Sequence, residues 1–469
     1  YFIADRNIPW WAVMFSVVAT ETSALTFISI PGLSYLGNLG FLQICVGYIL
    51  GRIVVAAVLL PRYLDGKLVT AYALFATRFG PATRRFTAIT FLVTRGLADS
   101  VRIFATAIPV ALIIGPVMPR EYLMPTSILV LGFITIVYTY YGGMKAVIWT
   151  ELIQAGVYLL GGVASIYLLG RSTLGGWGGI LTAAGNAGKL QVLDFSFTLS
   201  NPHTVWAGLI GGAFLAMASH GADQLIVQRL LSARSLRDAQ RAVIGSGIVV
   251  FVQFALFLAV GLGLWSAFGQ RSFETTDAVF PTFIVEQMPH GLLGLIVAAV
   301  VAAAMSTQSG SINSLAATTT HDIYLPITGR DPDDPQTLKA GKRFALMWGV
   351  ALTLGALLYP EGRTPVVVIA LSIASFTYGA LLGGFFLGIF VPRARQRDAI
   401  IGMSVGLVTM AVVVFAHLIG TAIPPIAGLL QPFESIAWPW FVLIGTSVTV
   451  VTGTASAILM NRQSTGSVS

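Results

Sequence analysis

The stretch AAAMSTQSGSINSLAATTTHDIY, residues 302–324, concentrates side-chain oxygens in an otherwise apolar segment. Ala303, Ser306 and Thr307 are spaced i, i+3 and i+4, so they share one helical face, and Ser309, Ser311 and Asn313 follow. A lone hydroxyl in such a helix usually bonds the carbonyl four residues back. A group this dense presents several hard oxygens together, the ligands of an alkali cation rather than of zinc or copper. An alkali ion also needs free backbone carbonyls, which an interrupted helix supplies and a regular one does not. Two stretches have the residues for an interruption. VVATETSALTF, residues 17–27, sets β-branched threonines around Glu21, and GGAFLAMASHGADQ, residues 211–224, holds Gly211, Gly212 and Gly221.

Other costly residues sit within apolar runs: Arg52, Arg95, Asp99, Arg102, Glu151 and Asp223, the last two near span ends. A charge at the centre of a bilayer costs about 2.5–3.5 kcal/mol on insertion scales, so such residues face protein or a water-filled cavity. Arg95, Asp99 and Arg102 follow one another at i, i+4 and i+7 on one helical face. Arg95 and Asp99 are expected to pair, which leaves Arg102 to meet a carboxylate, either Glu21 or that of an anionic solute. Glu21 itself has two readings: a wall residue of a central cavity, or a buried acid capping backbone N–H groups freed by the break. His220 is either a pocket-wall residue or a ligand.

The elements that must position these residues follow from composition. Of 469 residues, 56% are hydrophobic and 10% charged, against about 25% charged in soluble domains, which makes the chain a polytopic membrane protein. Twelve apolar spans are expected, at roughly 9–31, 38–61, 86–114, 122–140, 145–169, 204–228, 242–268, 291–321, 340–359, 365–391, 399–420 and 436–459, each long enough for the about 20 residues a bilayer requires. Alternate loops collect the basic residues, among them Arg62, Lys67, Arg78, Arg84, Arg85, Lys145, Arg229 to Arg241, Arg330 to Arg343 and Arg393 to Arg397. The opposite loops hold Arg120, Arg171, Lys189, Arg271 and Arg363. The positive-inside rule puts the richer side in the cytoplasm, with Arg6 and Arg462 on it, so both termini are expected there. Residues 62–85 read as a short amphipathic cytoplasmic helix and turn, and 170–203 as an extracellular loop. Cys45 is the sole cysteine, which excludes an internal disulfide and a cysteine-based metal cluster. The excess of positive charge follows topology and does not point to nucleic acid.

Four ordered motifs resemble the sodium/solute symporter family, which includes sodium/sugar and sodium/sialic acid symporters. They are the opening YFIADRNIPWWAVMFSVVATETSALTFISIPG, then YYGGMKAVIWTELIQ at 140–154, HGADQLIVQRLLSARSLRDAQRA at 220–242, and the serine-rich stretch ending in DIY. The resemblance implies a leucine-transporter fold in a single membrane domain over 1–469. Two inverted five-helix repeats, 9–169 and 204–391, are followed by two additional helices over 399–459. The resemblance also implies that the given sequence begins after the family's further N-terminal helix, which is not expected within it. Carried across residue by residue, the family's sodium site falls on the carbonyls of Ala19, Thr22 and Ala303 and the hydroxyls of Ser306 and Thr307. A second cation site of some members falls on Glu151 and Ser309, with Gly310 where those members have a further serine, so one sodium per cycle is expected. The matching solute pocket comprises Glu21, Ser23, Thr26, Arg102, Ser219, His220, Gln253, Ser375, Thr377 and Tyr378. Glu21, Ser219 and Gln253 replace the asparagine, tyrosine and lysine of the sugar symporters, so galactose-like recognition is not expected.

The implied function is sodium-coupled import of a small polar solute (a sugar, an amino acid or an organic acid) across a plasma membrane of the bacterial inner-membrane type. No organic cofactor, nucleic acid or partner chain is required. Rival readings are proton coupling through Glu21 and a transporter-like solute sensor. An enzyme is not expected, because His203, His220, His290, His321 and His417 are scattered without a metal or triad spacing, and no filter-like loop marks a channel.

Overall fold

In lipid a backbone amide finds no water, so a long apolar run must satisfy itself internally as a helix. The computed structural model describes residues 6–22, 24–65, 68–115, 118–269, 271–273, 276–359 and 366–466. Among these the regular structure is helical, apart from one isolated bridge between Ile8 and Ala233. In chain order the helices are α1 (Trp10–Glu21), α2 (Ala24–Leu36), α3 (Leu42–Val54), α4 (Leu60–Asp65), α5 (Ala73–Arg78), α6 (Pro81–Ile114) and α7 (Arg120–Ser172). They continue with α8 (Gly176–Asn186), α9 (Gly212–Gly221), α10 (Gln224–Leu230), α11 (Leu236–Ala267), α12 (Thr276–Gln287), α13 (His290–Thr318) and α14 (Leu325–Thr328). The last are α15 (Pro335–Leu357), α16 (Val366–Phe390), α17 (Gln396–Val414), α18 (Ala416–Ala422), α19 (Ala427–Glu434) and α20 (Trp440–Gly466). Wider π-helical turns at Val55–Leu59, Ala207–Gly211 and Thr319–Tyr324 adjoin α3, α9 and α13.

The expected fourth and fifth spans both lie in α7, which is helical over 53 residues, about 80 Å if straight. Its packing reverses direction along the way. Gly132 and Gly349 mark an antiparallel contact: Gly132 abuts Thr353, and Ile136 abuts Gly349, both on α15. Farther on, Gly162 abuts Leu256 and Leu169 abuts Gly263, in parallel order on α11. Both α11 and α15 start at one face of the molecule. Arg234 bonds the Asn7 carbonyl and Arg6 the Leu68 carbonyl there, Thr70 bonds Asp322, and Tyr324 packs on Phe344. Residues 120–141 and 147–172 are therefore two crossings. Of the described helices, six stretches are long and apolar enough to span a membrane by length and composition.

The third span shows how one helix serves lipid and interior together. Ile89, Val93 and Leu97, four apart on α6, are more than half exposed, whereas Leu92, Arg95 and Asp99 are buried. The apolar stripe faces outward and the charges face the bundle, the inverse of a soluble amphipathic helix.

The segment expected as an extracellular loop, 170–203, contains the helix α8. Ile180 and Ala184, one turn apart, bury against Leu262, Trp177 and Trp265, a helical spacing hidden by the surrounding glycines and alanines. Beyond it Lys189 donates to the carbonyls of Tyr35 at 2.8 Å and Gly37 at 2.9 Å, satisfying the end of α2. Partial burial lowers the Lys189 pKa below its ordinary value.

Small residues set a close helix crossing. A Cβ on Gly47 would overlap the Gly208 carbonyl, and one on Gly51 would overlap the Ala213 carbonyl, so α3 and α9 touch backbone to backbone. Gly51→Ala is expected to lower the thermal midpoint of the purified protein, at a cost of about 1–3 kcal/mol for overpacking. Gly291→Ala, where a Cβ meets nothing within 4 Å, should leave it unchanged.

Candidate functional site

Both expected interruptions are present. α1 stops at Glu21; Thr22 takes φ −85° and ψ 75°, its amide bonds the Val18 carbonyl at 2.8 Å, and α2 starts at Ala24. Ser23 lies outside the described residues. In the sixth span α9 stops at Gly221 and α10 starts at Gln224. Asp223, extended at φ −87° and ψ 119°, caps α10 by accepting from the Leu225 amide at 2.8 Å. A broken helix turns carbonyls and amides toward its gap, and the C-terminal end of its first half carries partial negative charge.

A cavity of about 370 Å³ lies between the two breaks, within the range of small-molecule sites. Ile30, Leu33, Phe41, Leu215, Phe254 and Trp438 make most of its wall apolar. Glu21, Thr26, Arg102, Ser219, His220 and Tyr378 supply polar groups. Pro202, His203 and Trp438 bring its wall toward the face that carries the 170–203 segment. At the opposite face the Ile8 amide bonds the Ser232 carbonyl at 3.1 Å, and Arg84 pairs with Asp322 at 2.6 Å.

Two ion-pair groups stand at the cavity. In the first, Glu21 Oε2 is bonded by the fully buried Arg52 guanidinium, whose other arm reaches Ser246 Oγ at 3.3 Å. His220 Nε2 lies 3.5 Å from the same carboxylate oxygen, and the opposite ring nitrogen is 2.8 Å from the Ser219 hydroxyl. In the second, Arg95 meets Asp99 at 3.0 Å and Asp223 at 3.2 Å, and the Tyr378 hydroxyl donates to Asp223. Arg102 stands at the end of this group, 3.8 Å from Asp99 and 21% exposed to the cavity. Of the arginines there it is the one most loosely held and most open to a solute.

Arg102 does not answer Glu21, one of the two partners expected for it; Arg52 of α3 does. Its membership of an apolar run was visible in the sequence, but its partner, 31 residues away on another helix, was not. The Arg95–Asp99 pair is as expected, with Asp223 as an unforeseen third member. Glu21, Thr26, Arg102, Ser219, His220 and Tyr378 converge on the cavity. Gln253, Ser375 and Thr377 are buried but do not line it; Gln253 accepts a 3.0 Å hydrogen bond from the Thr22 hydroxyl and so braces the break.

For the expected sodium ligands, Ala19 is buried on α1, and α1 and α2 both pack against α13, which carries Ala303, Ser306 and Thr307. The side chains of these three residues lie outside what is described. The neighbouring Met305 carbonyl accepts from the Tyr138 hydroxyl at 2.6 Å. At the expected second cation position, Glu151 is fully buried and bonded by Arg229 and by the Ser16 hydroxyl, with Thr20 Oγ1 at 3.2 Å. Arg229, expected in a basic loop, is instead wholly buried.

Comparison with known proteins bears on this arrangement. The sequence model described as "Sodium:solute symporter family" matches residues 1–406. The sodium/sialic acid symporter of Proteus mirabilis (strain HI4320) is 30% identical over 428 residues, covering 87% of this chain and 83% of that protein. The sodium-coupled monocarboxylate transporter 2 of Mus musculus is 26% identical over 416 residues, covering 87% of this chain and 66% of that protein. Among solved structures, a substrate-bound, outward-open Na⁺-coupled sialic acid symporter superposes with a TM-score of 0.83 at 26% identity, over 98% of this chain and 92% of that one.

Arg52→Met strands a carboxylate, and breaking a buried pair from one side costs about 3–5 kcal/mol. The single variant should lose much of its thermal stability, and Glu21→Gln/Arg52→Met should recover most of it, as read by melting curves of the detergent-purified protein.

Proposed function

The chain belongs to the sodium:solute symporter family and is a sodium-coupled symporter of a small solute; from that premise we propose where the ion binds and what class of solute the cavity takes. Sodium sits between the carbonyls of Ala19, Thr22 and Ala303 and the hydroxyls of Ser306 and Thr307. The observation that supports this most is the break after Glu21 in a helix that packs against α13, with Thr20 and Glu21 of that helix lining the cavity. Ion and solute then share one broken helix. Holding α1 against α13 favours the form whose cavity opens outward, so the ion raises solute affinity through a common conformational equilibrium.

The solute is a small organic anion with an apolar body. Arg102 is the cation left available to it, and the wall is largely apolar. Two of the relatives described above are named for sialic acid and for monocarboxylates, both carboxylates. Thr26, Ser219 and His220 are placed to hydrogen-bond its polar groups. Glu21, already engaged by Arg52, serves as a fixed anion that orients His220 and not as a proton carrier.

The basic loops are cytoplasmic, so the cavity faces outside and the contact of Ile8 with Ser232 lies on the inner side. Release inward requires that contact to open as one repeat bundle rocks against the rest around the site. Membrane potential contributes about 2.3 kcal/mol per translocated charge per 100 mV.

Melting curves in sodium chloride against choline chloride, with a panel of carboxylates, neutral sugars and amino acids, test both parts. Sodium should stabilise the wild-type protein, and Ser306→Ala/Thr307→Ala should raise the sodium concentration needed by at least about tenfold, or 1.4 kcal/mol. Arg102→Gln should weaken a carboxylate ligand by about 10–100-fold, the worth of a charged hydrogen bond, while sodium still stabilises. Stabilisation indifferent to Ser306 and Thr307 would contradict the ion site. A preferred ligand that is neutral and insensitive to Arg102 would contradict the solute class.

A further inference from the structure

Two outward-facing apolar stripes end at arginines. On α3 and the wider turn after it, Val46, Leu50, Ile53 and Ala57 are exposed in succession, and Arg62 is exposed beyond them. On α17 the exposed Ile401, Val405 and Val408 lead back, four residues earlier, to the exposed Arg397. Apolar exposure that gives way to a guanidinium marks the level where lipid tails meet the polar interface.

At that level two cavities adjoin, sharing Arg78 and Phe79. One, of about 290 Å³, is a mostly apolar cleft between α5 and α16, lined by Leu74, Phe75, Phe385 and Ile389, with Arg62 in its wall. The other, of about 450 Å³, is a cup at the turn between α16 and α17, lined by Arg78, Arg393, Arg395 and Gln396. Arg78 fixes the boundary between them. It donates to the carbonyls of Gly388 and Val391 at 2.8 Å, Pro392 at 3.0 Å and Ala394 at 3.1 Å, and its guanidinium lies over the Phe79 ring.

Those carbonyls satisfy the donors of Arg78 but do not cancel its charge. Among the described residues, Arg62, Arg78, Arg393, Arg395 and Arg397 form no ion pair. The neighbouring acid is already occupied: Asp398 is buried and accepts from the Arg395 amide at 2.9 Å and the Ser456 hydroxyl at 2.6 Å. A cationic cup joined to an apolar cleft therefore faces the interface with its charge unanswered. That division of chemistry matches a phosphodiester headgroup joined to an acyl chain, and basic pockets between membrane helices take anionic headgroups.

We propose that the paired cavity binds an anionic glycerophospholipid of the membrane, its phosphate against Arg393 and Arg395 beside Arg78 and an acyl chain in the cleft between α5 and α16. With the basic loops on the inside, the lipid comes from the cytoplasmic leaflet, whose negative surface potential adds to the attraction. A free phosphate would answer the cup and leave the cleft empty. The site is separate from the central cavity and needs neither sodium nor solute.

Native mass spectrometry of the full chain, released from micelles doped with dioleoylphosphatidylglycerol or dioleoylphosphatidylcholine, tests this. The wild-type protein should retain one phosphatidylglycerol in clear preference to phosphatidylcholine. Arg393→Gln/Arg395→Gln, which alters two exposed side chains, should weaken retention by about tenfold or more, as expected for two arginines at an anionic surface. Arg330→Gln/Lys339→Gln, which removes the same charge from another basic loop, should leave retention unchanged. Excess glycerol 1-phosphate should not displace the lipid. Equal retention of the two lipids, equal loss in the two double variants, or displacement by glycerol 1-phosphate would each overturn the proposal. If Arg393→Gln/Arg395→Gln does not fold, the lipid preference and the displacement measurement on wild-type protein decide.

Discussion

A carboxylate inside a bilayer has to be met by a cation, and this protein meets each of three with an arginine from another helix. Glu21 closes the first half of the opening span and is bonded by Arg52 of α3; Asp223 caps the second half of the sixth span and is bonded by Arg95 of α6. Glu151 of α7 is bonded by Arg229. The first two acids sit at the two places where the helix is interrupted, and the backbone groups freed there need partners of their own. Break, acid and arginine thus form one unit, used at both interrupted spans of a leucine-transporter-like fold.

The ion pairs also divide labour around the cavity. Arg52 is wholly buried and Arg95 nearly so, and both are committed to carboxylates. Arg102 is partly exposed and 3.8 Å from its nearest carboxylate. A cation at that distance, on a largely apolar wall, has the strongest remaining attraction for an anionic solute, since low dielectric strengthens a charge interaction that water would screen. The Gln253 side chain, expected to touch solute, receives the Thr22 hydroxyl and braces the break.

Much of this architecture was legible in the sequence because the bilayer imposes length. Runs of about 20 apolar residues identified the spans, and threonines and glycines marked the two interrupted ones. The reversal within α7 was legible as two apolar runs even though helical hydrogen bonding continues between them. Side-chain partners were harder to read. The i, i+4 pair of Arg95 and Asp99 is a local feature and was recovered, whereas Glu21–Arg52, Asp223–Arg95 and Glu151–Arg229 join residues 31 to 128 positions apart, a range no helical periodicity encodes. Arg229 was hidden for a further reason: it belongs to a cluster of basic residues whose other members, Arg234, Arg237 and Arg241, are exposed, and the missing side chain at Gly310 makes room for it. The helix α8 was obscured by its glycine-rich surroundings.

The proposed coupling depends on a sodium ion tying the broken end of α1 to α13. Amide hydrogen exchange of the purified protein, compared in sodium chloride and choline chloride at equal ionic strength, reads that tie without knowledge of the solute. Sodium is predicted to slow exchange together at residues 17–26 and 300–310, with little change in α17 and α20. Protection that is absent, equal in choline, or confined to helices away from these two stretches would contradict it.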